Sequence, residues 1–198
     1  MFESTLMLID LLLKDKCQVN KLRLVIFSSL MIFSVVTFAE KIPENTRYEV
    51  CFTPGGDCTT RIISKINASS KSVYVQAYSF TSAPIAKALV NAKHRGVDVK
   101  VILDKSQIKN NKYSSAQYFI NQHIPLWIDY KPAIAHNKVM ILDSNTVITG
   151  SFNFTKAAQV RNAENLLIIR DHSLAKLYLN NWQSRKAKSR FVEEPSKE

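Results

Sequence analysis

The stretch from His136 to Asn153 constrains this chain more than any other. It reads His136-Asn137-Lys138, then four residues to Asp143, six more to Gly150-Ser151, and finally Phe152-Asn153. Two apolar runs, Val139-Met140-Ile141-Leu142 and Thr146-Val147-Ile148-Thr149, flank Asp143-Ser144-Asn145, the pattern of two strands joined by a turn. Residues two apart on a strand face the same way, so His136 and Lys138 share a side at the start of the first strand. Gly150, Ser151 and Asn153 follow the returning strand and arrive at the same end. An imidazole, an ammonium, a hydroxyl and a carboxamide therefore converge.

Such a set suits a phosphate. A neutral imidazole is a competent nucleophile near pH 7. Attack on a phosphodiester builds negative charge on the non-bridging oxygens, which an ammonium (Lys138) and fixed neutral donors (Ser151 and Asn153) stabilise without a metal. Glu164, leading into the run Leu166-Leu167-Ile168-Ile169, is placed to accept the second ring N–H of His136 and fix its tautomer.

The spacing His136-x-Lys138-x4-Asp143-x6-Gly150-Ser151-x-Asn153 resembles the HKD signature of the phospholipase D superfamily at every fixed position. The likeness extends over most of residues 47–190 and is nearest to the small bacterial endonuclease-like branch, which carries one motif per chain. The resemblance implies an α/β sandwich, a phosphohistidine intermediate, a second histidine as leaving-group acid, and no metal or other cofactor. It assigns Lys138 and Asn153 to the substrate phosphate, where the residue chemistry above adds Ser151 as a further donor. Asp143 reads first as a structural member that hydrogen-bonds around the turn, and it enters the catalytic set as the alternative. With one motif per chain, the simplest source of two histidines is a two-fold homodimer whose interface brings two copies of His136 to one site.

The rest of the chain alternates. Strands are expected at Arg47–Thr53, Ser72–Phe80, Val97–Leu103, Ile124–Asp129 and Asn165–Arg170. Helices are expected at Thr59–Asn67, from Ser82 to Arg95, at Ser114–Gln122, as a short turn at Thr155–Gln159, and at Leu174–Lys188. Strand–helix alternation plus one hairpin gives a single α/β domain over residues 40–198, a mixed sheet flanked by helices, with a disordered tail at 193–198. Gly150, one of only four glycines, marks a turn or a close backbone approach. His94 and His123 fall near helix ends and His172 opens the last helix; none is assigned to catalysis.

Residues 1–39 read as an N-terminal extension and signal peptide. Lys21-Leu22-Arg23 precedes an uncharged run to Phe38, with a small residue, Ala39, before Glu40. The protein is therefore expected to be secreted, periplasmic or extracellular. An uncleaved anchor is the competing reading, and an over-long start would account for residues 1–20. In an oxidising compartment Cys51 and Cys58, across Phe-Thr-Pro-Gly-Gly-Asp, form an expected disulfide. No cysteine–histidine set suggests zinc.

Without the four basic and three acidic residues of positions 1–39, 23 basic and 13 acidic groups remain, a net charge of +10. That draws polyanions, either nucleic acid or an anionic membrane surface in transient contact. The sequence favours a secreted, metal-independent endonuclease of little sequence preference, with Lys105, Lys109, Lys112, Lys131, Lys156 and Arg161 along a phosphate-reading groove. The alternative is a phospholipase D acting on phosphatidylcholine-type lipids, a membrane-damaging activity. It would need an apolar rim, for which Trp127, Ile134 and Phe152 are candidates, although core packing suits all three. A non-catalytic nucleic-acid-binding domain fits poorly with an intact motif. The Arg185–Arg190 cluster reads as solvated surface.

Overall fold

The computed structural model describes residue 41 and residues 43–108 and 114–192. The expected signal segment and tail, and the groove candidates Lys109 and Lys112, lie outside these residues. Eight strands form one mixed sheet in the order β1-β7-β6-β5-β2-β3-β4-β8. They are β1 Arg47–Thr53, β2 Ser72–Ala77, β3 Asp98–Asp104, β4 Leu126–Asp129, β5 Lys138–Leu142, β6 Thr146–Gly150, β7 Glu164–Arg170 and β8 Arg190–Phe191. The helices are α1 Cys58–Ala68, α2 Ala83–His94, α3 Ala116–Asn121, α4 Lys156–Val160 and α5 His172–Lys188.

Connection length explains the mixture. β2 reaches β3 through α2, and β3 reaches β4 through α3, long crossovers that permit parallel pairing. A three-residue turn joins β5 to β6 as an antiparallel hairpin, β7 returns antiparallel to β6 after α4, and β5 lies antiparallel to β2. The expected elements appear with ends shifted by a few residues. The clearest difference is β2, which stops at Ala77, where the sequence run continued to Phe80. Tyr78 leaves the ladder but still donates its N–H to Asn137 O at 2.8 Å. The edge strand β8 was not foreseen, since two residues carry no periodicity.

The helices start where side chains can accept their free N–H groups. Asp57 accepts from Thr60 N, Thr155 from Ala158 N and Asp171 from Leu174 N. One sheet face buries Val73, Val75, Val101, Met140, Ile148 and Leu166 against Ile62, Ile66, Leu89 and Phe119 from the helices. The other packs Ile102, Val139, Ile141 and Val147 on Ala175 and Trp182 of α5. Trp182 also donates its indole N–H to Val75 O at 2.9 Å. The Cys51 and Cys58 sulfurs are bonded, with Cα atoms 5.6 Å apart, tying β1 to the start of α1.

Two surface expectations change. The Arg185–Arg190 cluster is engaged in tertiary contacts: Arg185 Nε donates to the buried Asp129 carboxylate at 2.7 Å. Lys186 lies over the Trp127 ring and Arg190 over Tyr130. Among the apolar-rim candidates, Phe152 is buried and Trp127 packs on Trp182 and Phe191, as core residues should. Ile134 is not core: it is 55% exposed.

Candidate functional site

The sheet end where β2, β3 and β4 finish is the end where β5 and β7 begin and β1 and β6 finish. The motif gathers here. Lys138 is the first residue of β5, opposite Ala77, and exposed His136 stands two residues before it. Gly150 closes β6, Ser151 and Asn153 follow, and Glu164 opens β7. Gly150 adopts φ +141°, and a Cβ there would lie 2.3 Å from Asn165 O. Only glycine lets β6 and β7 meet this closely. Ser151 N and Phe152 N both donate to the same Asn165 oxygen.

The loop from Tyr130 to Ala135 carries the chain into His136 and is tied from below. Asp104, buried at the end of β3, accepts from Ala135 N at 2.7 Å and from Ser106 N at 2.9 Å. Lys105 Nζ donates to Pro132 O at 3.0 Å. Lys105, expected along a groove, thus holds the loop.

Lys138 is 7% exposed, and its ammonium donates to His136 O at 2.9 Å. Burial lowers its pKa from the ordinary lysine range, while the negative charge of Glu164 opposes that shift. Its Nζ lies 5.2 Å from the centre of the Tyr78 ring, and the same ring packs against the His136 imidazole at 4.6 Å. Sequence reasoning missed Tyr78. Only the β2–β5 register brings it beside the motif.

Three expected roles are corrected. Glu164 does not hold the His136 ring: its Oε2 accepts from Ser151 Oγ at 2.6 Å and its Oε1 from Asn162 Nδ2 at 2.9 Å. Among the described residues no protein group bonds either ring nitrogen of His136. Ser151 is not a free donor for phosphate either. A hydroxyl has one proton, and this one is given to Glu164 while the oxygen accepts from Asn165 N at 3.0 Å. Ser151 and Glu164 thus form a frame that sets a carboxylate near Lys138.

Asp143 is the third correction, because it lies at the opposite end of β5 from His136. Its carboxylate accepts backbone N–H groups of Ser70, Lys71 and Ser72. Burial would raise its pKa, but these donors outweigh that and hold it below the ordinary carboxylate range. Asp143 also takes φ +50° in the hairpin turn. Its place in the motif is structural.

Asn153 lies between the buried Phe152 and Phe154 and is itself half-buried. Its Oδ1 is buried without a partner among the described residues. Lys131, Lys156 and Arg161 are exposed around this sheet end. Thr53, at the end of β1, ties in the α4 segment through Ala158 O and Asn162 O. Among the described residues, no cluster of histidine, cysteine or carboxylate side chains could hold a metal ion.

A family model described as cardiolipin synthase, PLD-like domain, matches residues 62–185. The phospholipase D of Rickettsia typhi is 49% identical over 148 residues, 74% of this chain and 72% of that protein. The fold is similar to that of Nuc, a phospholipase D family member from Salmonella typhimurium. Their TM-score is 0.71 at 41% identity, over 75% of this chain and 99% of Nuc. NucT from Helicobacter pylori matches with TM-score 0.69 and 26% identity, over 74% of this chain and 99% of its own.

Proposed function

Because the chain belongs to the phospholipase D superfamily and is a phosphodiester hydrolase, we propose that it hydrolyses the headgroup ester of a phospholipid, leaving phosphatidate and a free alcohol. One observation carries the choice of substrate. The loop leading into His136 exposes Tyr130 (41%) and Ile134 (55%) on either side of exposed Lys131. An apolar and cationic lip beside the nucleophile suits the boundary between water and an anionic bilayer. The relative from Rickettsia typhi, itself named phospholipase D, supports this order of preference over the nuclease reading.

In the proposed reaction a His136 ring nitrogen attacks phosphorus, forming an N–P bond as the P–O bond to the headgroup alcohol breaks. Lys138, and the Asn153 amide, balance charge on the non-bridging oxygens. The departing alkoxide takes a proton from a second imidazolium, that of His136 in another copy of the chain across a two-fold axis. Water then attacks phosphorus, the N–P bond breaks, and the second imidazole accepts the water proton. No step requires a metal. Export through residues 1–39 belongs to the same proposal, and the Cys51–Cys58 bond supports an oxidising destination.

Nucleic acid is the second reading, favoured by the net charge of +10 over residues 40–198 and by exposed Lys131, Lys156 and Arg161 at the site end of the sheet. The deciding experiment assays purified residues 40–198 in excess EDTA on phosphatidylcholine vesicles and on plasmid DNA, with His136→Ala as control. Choline release lost in the variant supports the lipid reading. Nicking without choline release replaces it with the nuclease, and loss of all activity in EDTA removes the metal-free mechanism.

A further inference from the structure

We propose that Tyr78 is a positioning residue for this site, its ring being the shared wall that sets the His136 imidazole and the Lys138 ammonium relative to each other. The inference rests on the reading of His136 as nucleophile. Its basis is a set of independent contacts. The imidazole packs on the Tyr78 ring with centroids 4.6 Å apart and planes inclined by 53°. Lys138 Nζ lies 5.2 Å from the centre of that ring, within cation–π range. The Tyr78 N–H bonds Asn137 O at 2.8 Å, fixing its backbone to the residue between the two.

What His136 lacks makes this wall matter. The carboxylate expected to orient it is engaged by Ser151 and Asn162 instead. Among the described residues neither ring nitrogen has a protein hydrogen bond, so packing against the Tyr78 ring is a contact that restrains imidazole rotation. Lys138 is fixed along one direction by its bond to His136 O, and the ring limits it along another. A nucleophile must be held in a near-attack geometry while its charge-stabilising partner keeps a set distance. One aromatic ring close to both does this without using the proton or lone pair of either group. The Tyr78 hydroxyl has no hydrogen-bond partner among the described residues, so the ring face rather than the hydroxyl carries the role.

The test compares Tyr78→Leu with Tyr78→Phe, together with the wild type and His136→Ala, in residues 40–198. Tyr78→Leu is expected to lower kcat roughly 10- to 100-fold with KM within about twofold. Tyr78→Phe is expected to restore kcat to near the wild-type value. Histidine ring resonances followed by NMR, with His136 assigned by its loss in His136→Ala, supply a readout independent of turnover. The His136 signals should move in Tyr78→Leu as the ring current is lost, and should stay in Tyr78→Phe.

Unmoved His136 signals in the leucine variant would overturn the proposal, as would an unchanged kcat. A phenylalanine variant as impaired as the leucine one would overturn it by assigning the role to the hydroxyl. A rise in KM alone would make Tyr78 a substrate contact. If the wild type turns over neither lipid nor DNA, the functional reading has failed, and the NMR comparison still decides whether Tyr78 orders the imidazole.

Discussion

Substituting Lys138 by Ala should remove transition-state stabilisation on the order of 3–4 kcal/mol, lowering kcat about 10²- to 10³-fold, while His136→Ala should abolish turnover. Single-turnover assays on vesicles with matched protein check both. Asp143 should behave differently. Asp143→Ala strands three backbone N–H groups and should cost about 1–3 kcal/mol of stability in denaturant titration, with kcat per folded molecule retained. A collapse of kcat in fully folded Asp143→Ala would return Asp143 to the catalytic set. The pH dependence has a defined sign. Burial would raise the carboxyls of both Asp143 and Asp104, but hydrogen bonds leave both below their ordinary value. Their stabilisation is therefore complete above the unfolded carboxylate pKa, about 3.9, and is lost as pH falls through the depressed folded values. Thermal melts from pH 6 to pH 2 should show Asp143→Ala losing less stability on acidification than wild type.

At the scale of elements, the loop between β4 and β5 joins fold to function. Its backbone is held by Asp104 at Ala135 and by Lys105 at Pro132, directly before the nucleophile. Asp104→Ala should destabilise the protein by roughly 2–4 kcal/mol, because the buried Ala135 N–H and the half-buried Ser106 N–H lose a charged acceptor. It should also slow turnover in the protein that remains folded, since His136 is one residue from the freed amide. Equal kcat in wild type and folded Asp104→Ala would mean that β5 alone places the imidazole. The hairpin shows why a motif can span two ends of a sheet. Its turn, with Asp143 and Ser144 at positive φ, fixes the register of β5 on β6. Register in turn brings Lys138 and Gly150 to the same end.

For the whole molecule, two expectations follow. The Cys51–Cys58 bond closes a loop of seven residues' separation, for which chain entropy gives about 2.5 kcal/mol. Reduction or Cys58→Ala should lower Tm accordingly, and an unchanged Tm would show the tie to be redundant with β1–β7 pairing. The second concerns assembly. If two copies of His136 share one site, specific activity must fall as the protein is diluted through its dimer dissociation constant. It should also be partly restored by mixing His136→Ala with an inactive variant altered elsewhere in the motif, if each copy can play one role. Full activity of a monomer seen by sedimentation would remove the shared-site mechanism.

The sequence alone determined the hairpin, the residue types at its open end, the need for glycine at position 150 and the alternation that makes a mixed sheet. These depend on local periodicity, turn chemistry and fixed spacing, which neighbours in sequence carry. Tertiary structure alone decided which partners those residues meet. Glu164 could not be assigned to Ser151 rather than His136 without knowing how β6 closes on β7 around Gly150. Asp143 could not be read as the acceptor for Ser70, Lys71 and Ser72 without the β2–β5 pairing, which joins segments about seventy residues apart. Tyr78 carries no motif and follows a strand end like many other residues, and only the same pairing lays its ring against His136 and Lys138. The physical reason is common to all three. Spacing along a chain fixes which side chains share a face, whereas hydrogen bonds and ring contacts are settled by strand order and register, which are set by burial of the whole sheet.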